Sequence, residues 1–218
     1  MTERISLAIR TLLAGAFAAV LLAPMFARAE TLDRIAVTVA RHVISEHDIL
    51  QNLRVSAFID GKAPDFSGDE KRKAADRMVD QYLVLEDAAA TRVPPPSAGE
   101  VAALLSPIKG RFASDQQYRA ALQQAHITEA ELSAQLYQGL RMLRYTDLRF
   151  RPEVQLSEEA LRAYYDKLAE KGDRQSFEAS RADIEKLLTD QQTMQALDRW
   201  LAMTRSDTAI LFREAAFK

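Results

Sequence analysis

Residues 128–150 read TEAELSAQLYQGLRMLRYTDLRF, and the fold turns on how this stretch is read. Leu132, Leu136, Leu140 and Leu143 recur at spacings of four, four and three, with Leu148 further along the same line. That period lays an apolar stripe along one side of an α-helix. Thr128 with Glu131 has the pattern of a capping box, in which the hydroxyl accepts from the third helical amide and the carboxylate reaches back to the cap amide. Only Gly139 interrupts the pattern, and Pro152 lies just past its end. The spacing predicts one long helix whose leucine stripe is buried by partners elsewhere in the chain.

Those partners are legible on both sides. Ser176 opens a second long helix with Phe177, Ile184, Leu187, Leu188, Met194, Leu197, Trp200 and Leu201 at helical spacings. Between the two, Ser157 caps a helix that ends at Gly172. Upstream, Asp69–Thr91 reads as a helix with Ala74, Met78, Tyr82 and Leu85 on one face, widened by Val79, Leu83 and Ala90. The run Pro94-Pro95-Pro96 ends it, and Ser97 with Glu100 forms another capping box for a helix that Pro107 ends or kinks before Gly110. Ser114–Gln124 is a short helix with Tyr118 and Leu122 inward. Ser45 with Asp48 starts a helix that runs toward Phe58 and stops at Asp60-Gly61.

Strands are expected only at the two ends of this helical series. Ile35, Val37, Thr38 and Val39, then Val43 and Ile44, read as a short hairpin turning near Ala40–His42. Ile210, Leu211 and Phe212 form a short apolar run that reads as another strand. A lone hairpin is marginal and a third strand supports it, so the expected architecture is mainly α-helical with a small β element closed by the C-terminal strand.

The first residues carry a different signal. Arg4 and Arg10 precede an uncharged apolar run, Thr11–Phe26, and Ala27-Arg28-Ala29 provides an A-x-A site. This is the pattern of a cleavable secretory signal over residues 1–29, cut after Ala29 to leave Glu30 first; the run is too short to span a bilayer comfortably. The expected location is the periplasm, with no stable membrane insertion after cleavage. Without residues 1–29, the 29 Lys+Arg become 26 and the 31 Asp+Glu become 30, about −4 formally, which gives no electrostatic case for nucleic acid or anionic lipid as a partner. The chain has no cysteine, which excludes disulfides, thiol catalysis, zinc-thiolate sites and a lipoprotein signal.

Nothing in the chain points to catalysis. His42, His47 and His126 lack metal-ligand spacing, and no P-loop, G-x-S-x-G or G-x-G-x-x-G stretch occurs. Acidic pairs such as Asp69-Glu70 and Glu158-Glu159 stand at helix starts, where the macrodipole accounts for them. No catalytic residue, cofactor or metal is expected.

Five segments together carry a resemblance: DRIAVTVARHVISEHDI at 33–49, RKAADRMVDQYLVLEDAAA at 72–90, HITEAELSAQLYQGLRMLRYTDLRF at 126–150, VQLSEEALRAYYDK at 154–167, and SFEASRADIEKLLTDQQTMQALDRWLAMTRSDTAILF at 176–212. In this order they resemble the SurA-type periplasmic chaperones: a strand pair, a Ser-capped helix, the paired Tyr164-Tyr165, and a C-terminal helix with a late Trp and a short strand. The likeness spans nearly all of residues 33–212. Relatives insert parvulin-type prolyl isomerase domains between the Tyr-Tyr helix and the C-terminal helix. Here Tyr165 and Phe177 are only about a dozen residues apart, far short of a domain's length.

The resemblance implies a chaperone core without its isomerase insert: an N-terminal chaperone domain over residues 30–172 and a C-terminal helix and strand over 173–218 that pack back on it. It implies an ATP-independent holdase for unfolded envelope or outer-membrane proteins. A prolyl isomerase-related folding factor and a scaffold subunit with one dedicated partner are the alternatives. Adaptable methionines and amphipathic aromatics suit client surfaces, and the candidates are Phe58, Met78, Tyr82, Tyr118, Tyr137, Met142 and Phe150. Arg141, Arg144, Arg149 and Arg151 read as a solvated face that could also hold an acidic client.

Overall fold

A computed structural model describes residues 33–170 and 176–218. The signal over residues 1–29, the Gly172 helix end and the boundary between residues 172 and 173 lie outside the described residues. Among the described residues there are seven α-helices and a three-stranded antiparallel sheet. Strand β1 (Ile35–Val39) turns at Ala40-Arg41 into β2 (His42–Ser45), and β3 (Ile210–Phe212) joins the other edge of β1, giving the order β2-β1-β3. Val37 lies opposite Phe212, Thr38 opposite Leu211 and Val39 opposite Ile210. The expected closure of the hairpin by the C-terminal strand is what the structure shows.

Helix α1 (Glu46–Asp60) begins at Ser45, whose hydroxyl accepts from Asp48 N while Asp48 caps the Ser45 amide in return. Gly61 ends it in the left-handed region, φ 68°, where a glycine carries no steric penalty. Helix α2 (Gly68–Ala90) follows, then α3 (Ala98–Lys109) from its Ser97/Glu100 capping box, with Pro107 accommodated in the last turn. Helices α4 (Asp115–Gln124) and α5 (Glu129–Arg149) come next, the latter opened by the Thr128/Glu131 capping box. A 3-10 turn at Arg151–Glu153 leads to α6 (Glu158–Glu170), which packs on α7 (Phe177–Asp207). At 31 residues α7 is about 46 Å long. Its N-terminal part meets α6, and further along it meets α2 and α5.

Three buried clusters hold these elements together. The first joins the inner face of the sheet (Val37, Val39, Ile44) to α1 and to Ala74, Ala75, Val79 and Leu83 of α2. The second gathers Val55, Leu105, Ile108, Tyr118, Leu122, Ile127 and Leu132 where α1, α3, α4 and the start of α5 meet. The third packs Val84 and Ala88 of α2 against Tyr145, Phe150 and Leu197. Ion pairs tie α7 to α2: Arg205 donates to Asp76 at 2.7 Å and to Asp80 at 2.5 Å.

Two expected faces shift. On α2 Ala74, Val79 and Leu83 are buried as expected and Ala75, Val84 and Ala88 join them, while Met78, Tyr82 and Leu85 are half-buried and Ala90 is exposed. On α5 the leucine stripe does not stay inside. Leu132 is fully buried, yet Leu143 is 58% and Leu148 56% exposed. The helix serves two clusters with different neighbours, so its buried face rotates along its length, from Leu132 at one end to Tyr145 and Thr146 at the other. Tyr145 takes the inner position because its hydroxyl donates to Asp87 Oδ2 at 2.6 Å and its ring meets Phe150 and Trp200, each at 5.8 Å. Beyond β3 the chain also does more than a tail would. A 3-10 turn at Glu214–Phe217 buries Ala216 and Phe217 in the first cluster, and Arg72 lies over the Phe212 ring at 3.8 Å.

Candidate functional site

Two surface features share α5. The first is a groove on its outer side. The leucines displaced by Tyr145, with Leu140, face the triproline segment across a cavity of about 430 Å³ that also touches Glu100, Arg144 and Asp147. Through Pro94 and Leu148 it continues into a neighbouring cavity of about 380 Å³ bounded by Thr91, Arg92, Val93 and Arg149. Arg144 fixes the far wall: Nη1 donates to the carbonyls of Pro94 (3.1 Å) and Pro95 (2.7 Å), and Nη2 donates to Glu100. Hydrogen bonds from the Ser97 amide and hydroxyl, with the Arg144 charge behind them, hold the Glu100 carboxyl below its ordinary value. The prolines need no internal backbone donors, so this wall stays rigid without a helix of its own.

The second is a cleft of about 530 Å³ on the other side of α5, bounded by β2, α1, α2 and α5. His42, Val43 and Ile44 form one rim, and Met78 and Val55 supply apolar floor. Carboxamides dominate the rest: Gln51 and Asn52 from α1, Gln81 from α2, and Gln135 and Gln138 from α5. Gln135 donates to Ser56 at 2.8 Å, and Gln51 donates to the His126 carbonyl while accepting from Arg54. The side chains of Asn52 and Gln81 make no hydrogen bond among the described residues. The carboxylates at the rim, Asp48 and Glu131, are tied to the caps of their own helices. Glu131 sits below its ordinary value, through the Thr128 hydroxyl first and the Thr128 amide second.

The seven client-binding candidates do not gather at either place. Met78 lines the cleft, and Tyr82 stands beside it, stacked on His42 with ring centroids 4.4 Å apart and planes 7° off parallel. Phe58 packs with Phe112 (5.9 Å) and Tyr118 in the second cluster, and Tyr118 is 2% exposed. Burial pushes the Tyr118 hydroxyl up to about 12, with the negative charge of nearby Glu129 adding to the rise. Met142 and Phe150 belong to the third cluster, Phe150 at 4% exposed, and Tyr137 is half-buried on α5. Tyr118 and Phe150 are therefore core residues in this structure.

The basic stretch is mostly occupied within the protein. Arg144 holds the proline wall, Arg151 bridges Asp147 and Asp190, Arg149 lies 3.8 Å from Asp87, and Arg141 bonds to Gln138. The residues that line the two features, Leu143, Leu148 and Pro94 on one side and Val43, Asn52 and Gln81 on the other, were not singled out from sequence as a surface. Gln135 and Gln138, three apart on one helix face, were the available signal for the cleft.

Among the described residues no group of three or more acidic or histidine side chains could hold a metal ion, and no helix is long and apolar enough to cross a membrane. No family model and no curated protein matches the chain.

Proposed function

We propose that the protein is an ATP-independent holdase for unfolded polypeptides, a SurA-type chaperone core without the prolyl isomerase insert, acting on envelope or outer-membrane clients in the periplasm. The observation that carries this reading is the uncovered apolar groove of Leu140, Leu143, Leu148 and Pro94. Scattered exposed leucines need no explanation, but these share one continuous groove with a rigid wall. Covering the exposed parts of Leu143 and Leu148 would contribute roughly 1–1.5 kcal/mol each. That is enough to hold an apolar client segment and little enough to release it, since ordering a disordered client offsets part of the gain.

The test is light scattering from a urea-unfolded outer-membrane protein diluted into buffer with and without this protein. Suppression near equimolar ratio is expected, reduced severalfold in the double variant L143S/L148S, which should lose on the order of 1–2 kcal/mol of stability with the covered parts of the two side chains yet remain folded by circular dichroism at the assay temperature. A folded native protein that suppresses nothing would overturn the reading.

A further inference from the structure

The edge of β2 that faces away from β1 borders the carboxamide cleft, and its hydrogen-bonding direction follows from the ladder on the other side of the sheet. Ala40 N donates to Ala209 O at 2.9 Å, and Arg213 N donates to Ala36 O at 2.8 Å. Alternate residues of β1, Ala36, Thr38 and Ala40, therefore turn their peptide groups toward β3, and Val37 and Val39 turn theirs toward β2. Thr38 stands opposite Val43. Their pair is consequently the non-hydrogen-bonded kind, and the Val43 N–H and C=O point outward along the free edge.

Val43 is 44% exposed and lies on the rim of the cleft. The same cleft is lined by Asn52 and Gln81, whose side-chain amides make no hydrogen bond among the described residues, and by Gln138, whose Oε1 accepts from Arg141 while its Nε2 is unused. A primary carboxamide presents one acceptor and two donors, the same kinds of groups as a peptide unit. An open strand edge that shares a cleft with the uncommitted amides of Asn52, Gln81 and Gln138 supplies donors and acceptors for an extended backbone. The half-buried Met78 and the exposed face of Val43 offer apolar contact to the segment's side chains.

We propose that an extended segment of an unfolded polypeptide adds to β2 at Val43 as a fourth strand in this cleft, recognised through its main chain rather than its sequence. The proposal rests on the holdase reading and gives it a second mode of capture, separate from the leucine groove. The two would divide the task, the groove taking apolar side chains and the cleft taking backbone. Such a site is tolerant of client sequence and intolerant of proline in the segment it pairs.

The probe is a fluorescein-labelled peptide of alternating Tyr and Thr residues, followed by anisotropy against the full chain. V43P removes the outward N–H and breaks no bond of the hairpin, and proline is tolerated at such edge positions. It should weaken peptide binding about tenfold, the loss of one net backbone hydrogen bond. N52L/Q81L removes the carboxamides without touching the strand and should weaken binding severalfold, which keeps the test decisive if V43P folds poorly. In the native protein, saturating peptide should slow hydrogen exchange at the Val43 amide at least tenfold.

Binding unchanged in both variants, or unchanged Val43 exchange, would overturn strand addition while leaving suppression of aggregation intact. A native chain that neither binds the peptide nor suppresses aggregation would overturn both readings. A native dimer that V43P converts to a monomer would assign the edge to a second copy of the chain and overturn the proposal in that way.

Discussion

Replacing Tyr145 with Phe tests whether the inner face of α5 is held by the bond to Asp87 as well as by packing. The phenol is 0% exposed and donates to Asp87 Oδ2 at 2.6 Å. Hydrogen bonds to charged groups contribute ~1.5–3 kcal/mol net. Asp87 keeps partial solvent access, 32% for its side chain, and has Arg149 at 3.8 Å, so losing the phenol does not strand a buried charge. The lower end, ~1.5 kcal/mol, is expected, because the ring contacts to Phe150 and Trp200 persist in Phe. With a urea slope of about 2.5 kcal/mol/M, Y145F should lower the unfolding midpoint by about 0.6 M with the slope unchanged. Y145A also deletes the ring and should lose ~3–5 kcal/mol.

The same bond sets an alkaline limb. Burial first, then Asp87, push the Tyr145 hydroxyl above its ordinary value of 10.0. A group raised on folding contributes stability that is fully present below its unfolded value and is lost as pH rises toward the folded one. The gap between native and Y145F should therefore be full at neutral pH and close above pH 10. Aggregation suppression per folded molecule should match in the two proteins, because Tyr145 touches neither groove nor cleft. A midpoint shift within about 0.2 M, or a gap that persists undiminished in alkali, would refute the account.

Gly68 stands where a Cβ would lie 2.2 Å from the Phe217 carbonyl oxygen. G68A must displace the C-terminal 3-10 turn and should cost ~1–3 kcal/mol with increased proteolysis after β3; a native-like melt would show that the turn yields freely. E131Q keeps an oxygen that can accept from the Thr128 amide but removes the negative charge from the first turn of α5, at ~0.5 kcal/mol near neutral pH. Since the Glu131 carboxyl is depressed below 4.5, its contribution is present above that value and lost as pH falls through the depressed one, so the native–variant gap in urea midpoints should close in acid.

Features written in short-range pattern were readable from sequence alone. The pairs Ser45/Asp48, Ser97/Glu100 and Thr128/Glu131 each form the reciprocal cap that their spacing of three announces, because both partners lie within one helical turn. The closure of β1 by Ile210–Phe212 followed from the weakness of a lone hairpin. Which face of a helix is buried is a different kind of fact. The leucines of α5 and Tyr145 compete for the interior, and the outcome depends on Asp87, Phe150 and Trp200, none of which periodicity within residues 132–148 registers. The same limit governed the aromatic candidates: Tyr118 and Tyr82 are alike in sequence, yet one is core and the other stacks on His42 beside the cleft. The cleft itself is closed by α5, far along the chain from β2, α1 and α2, and amides carry no hydrophobic period to mark them.

The pairing of β1 with β3 has a consequence for biosynthesis. A chain delivered from its N-terminal side presents β1 and β2 long before Leu211 exists, so Ala36, Thr38 and Ala40 wait with open peptide groups until the final stretch arrives. Helices α1 to α6 can assemble in that interval, but the sheet cannot be latched. During its own synthesis the nascent chain exposes an unpaired strand of the sort that invites misassociation. Its last strand is the cap that ends this vulnerable period, and any clipping between Asp207 and Arg213 would reopen it.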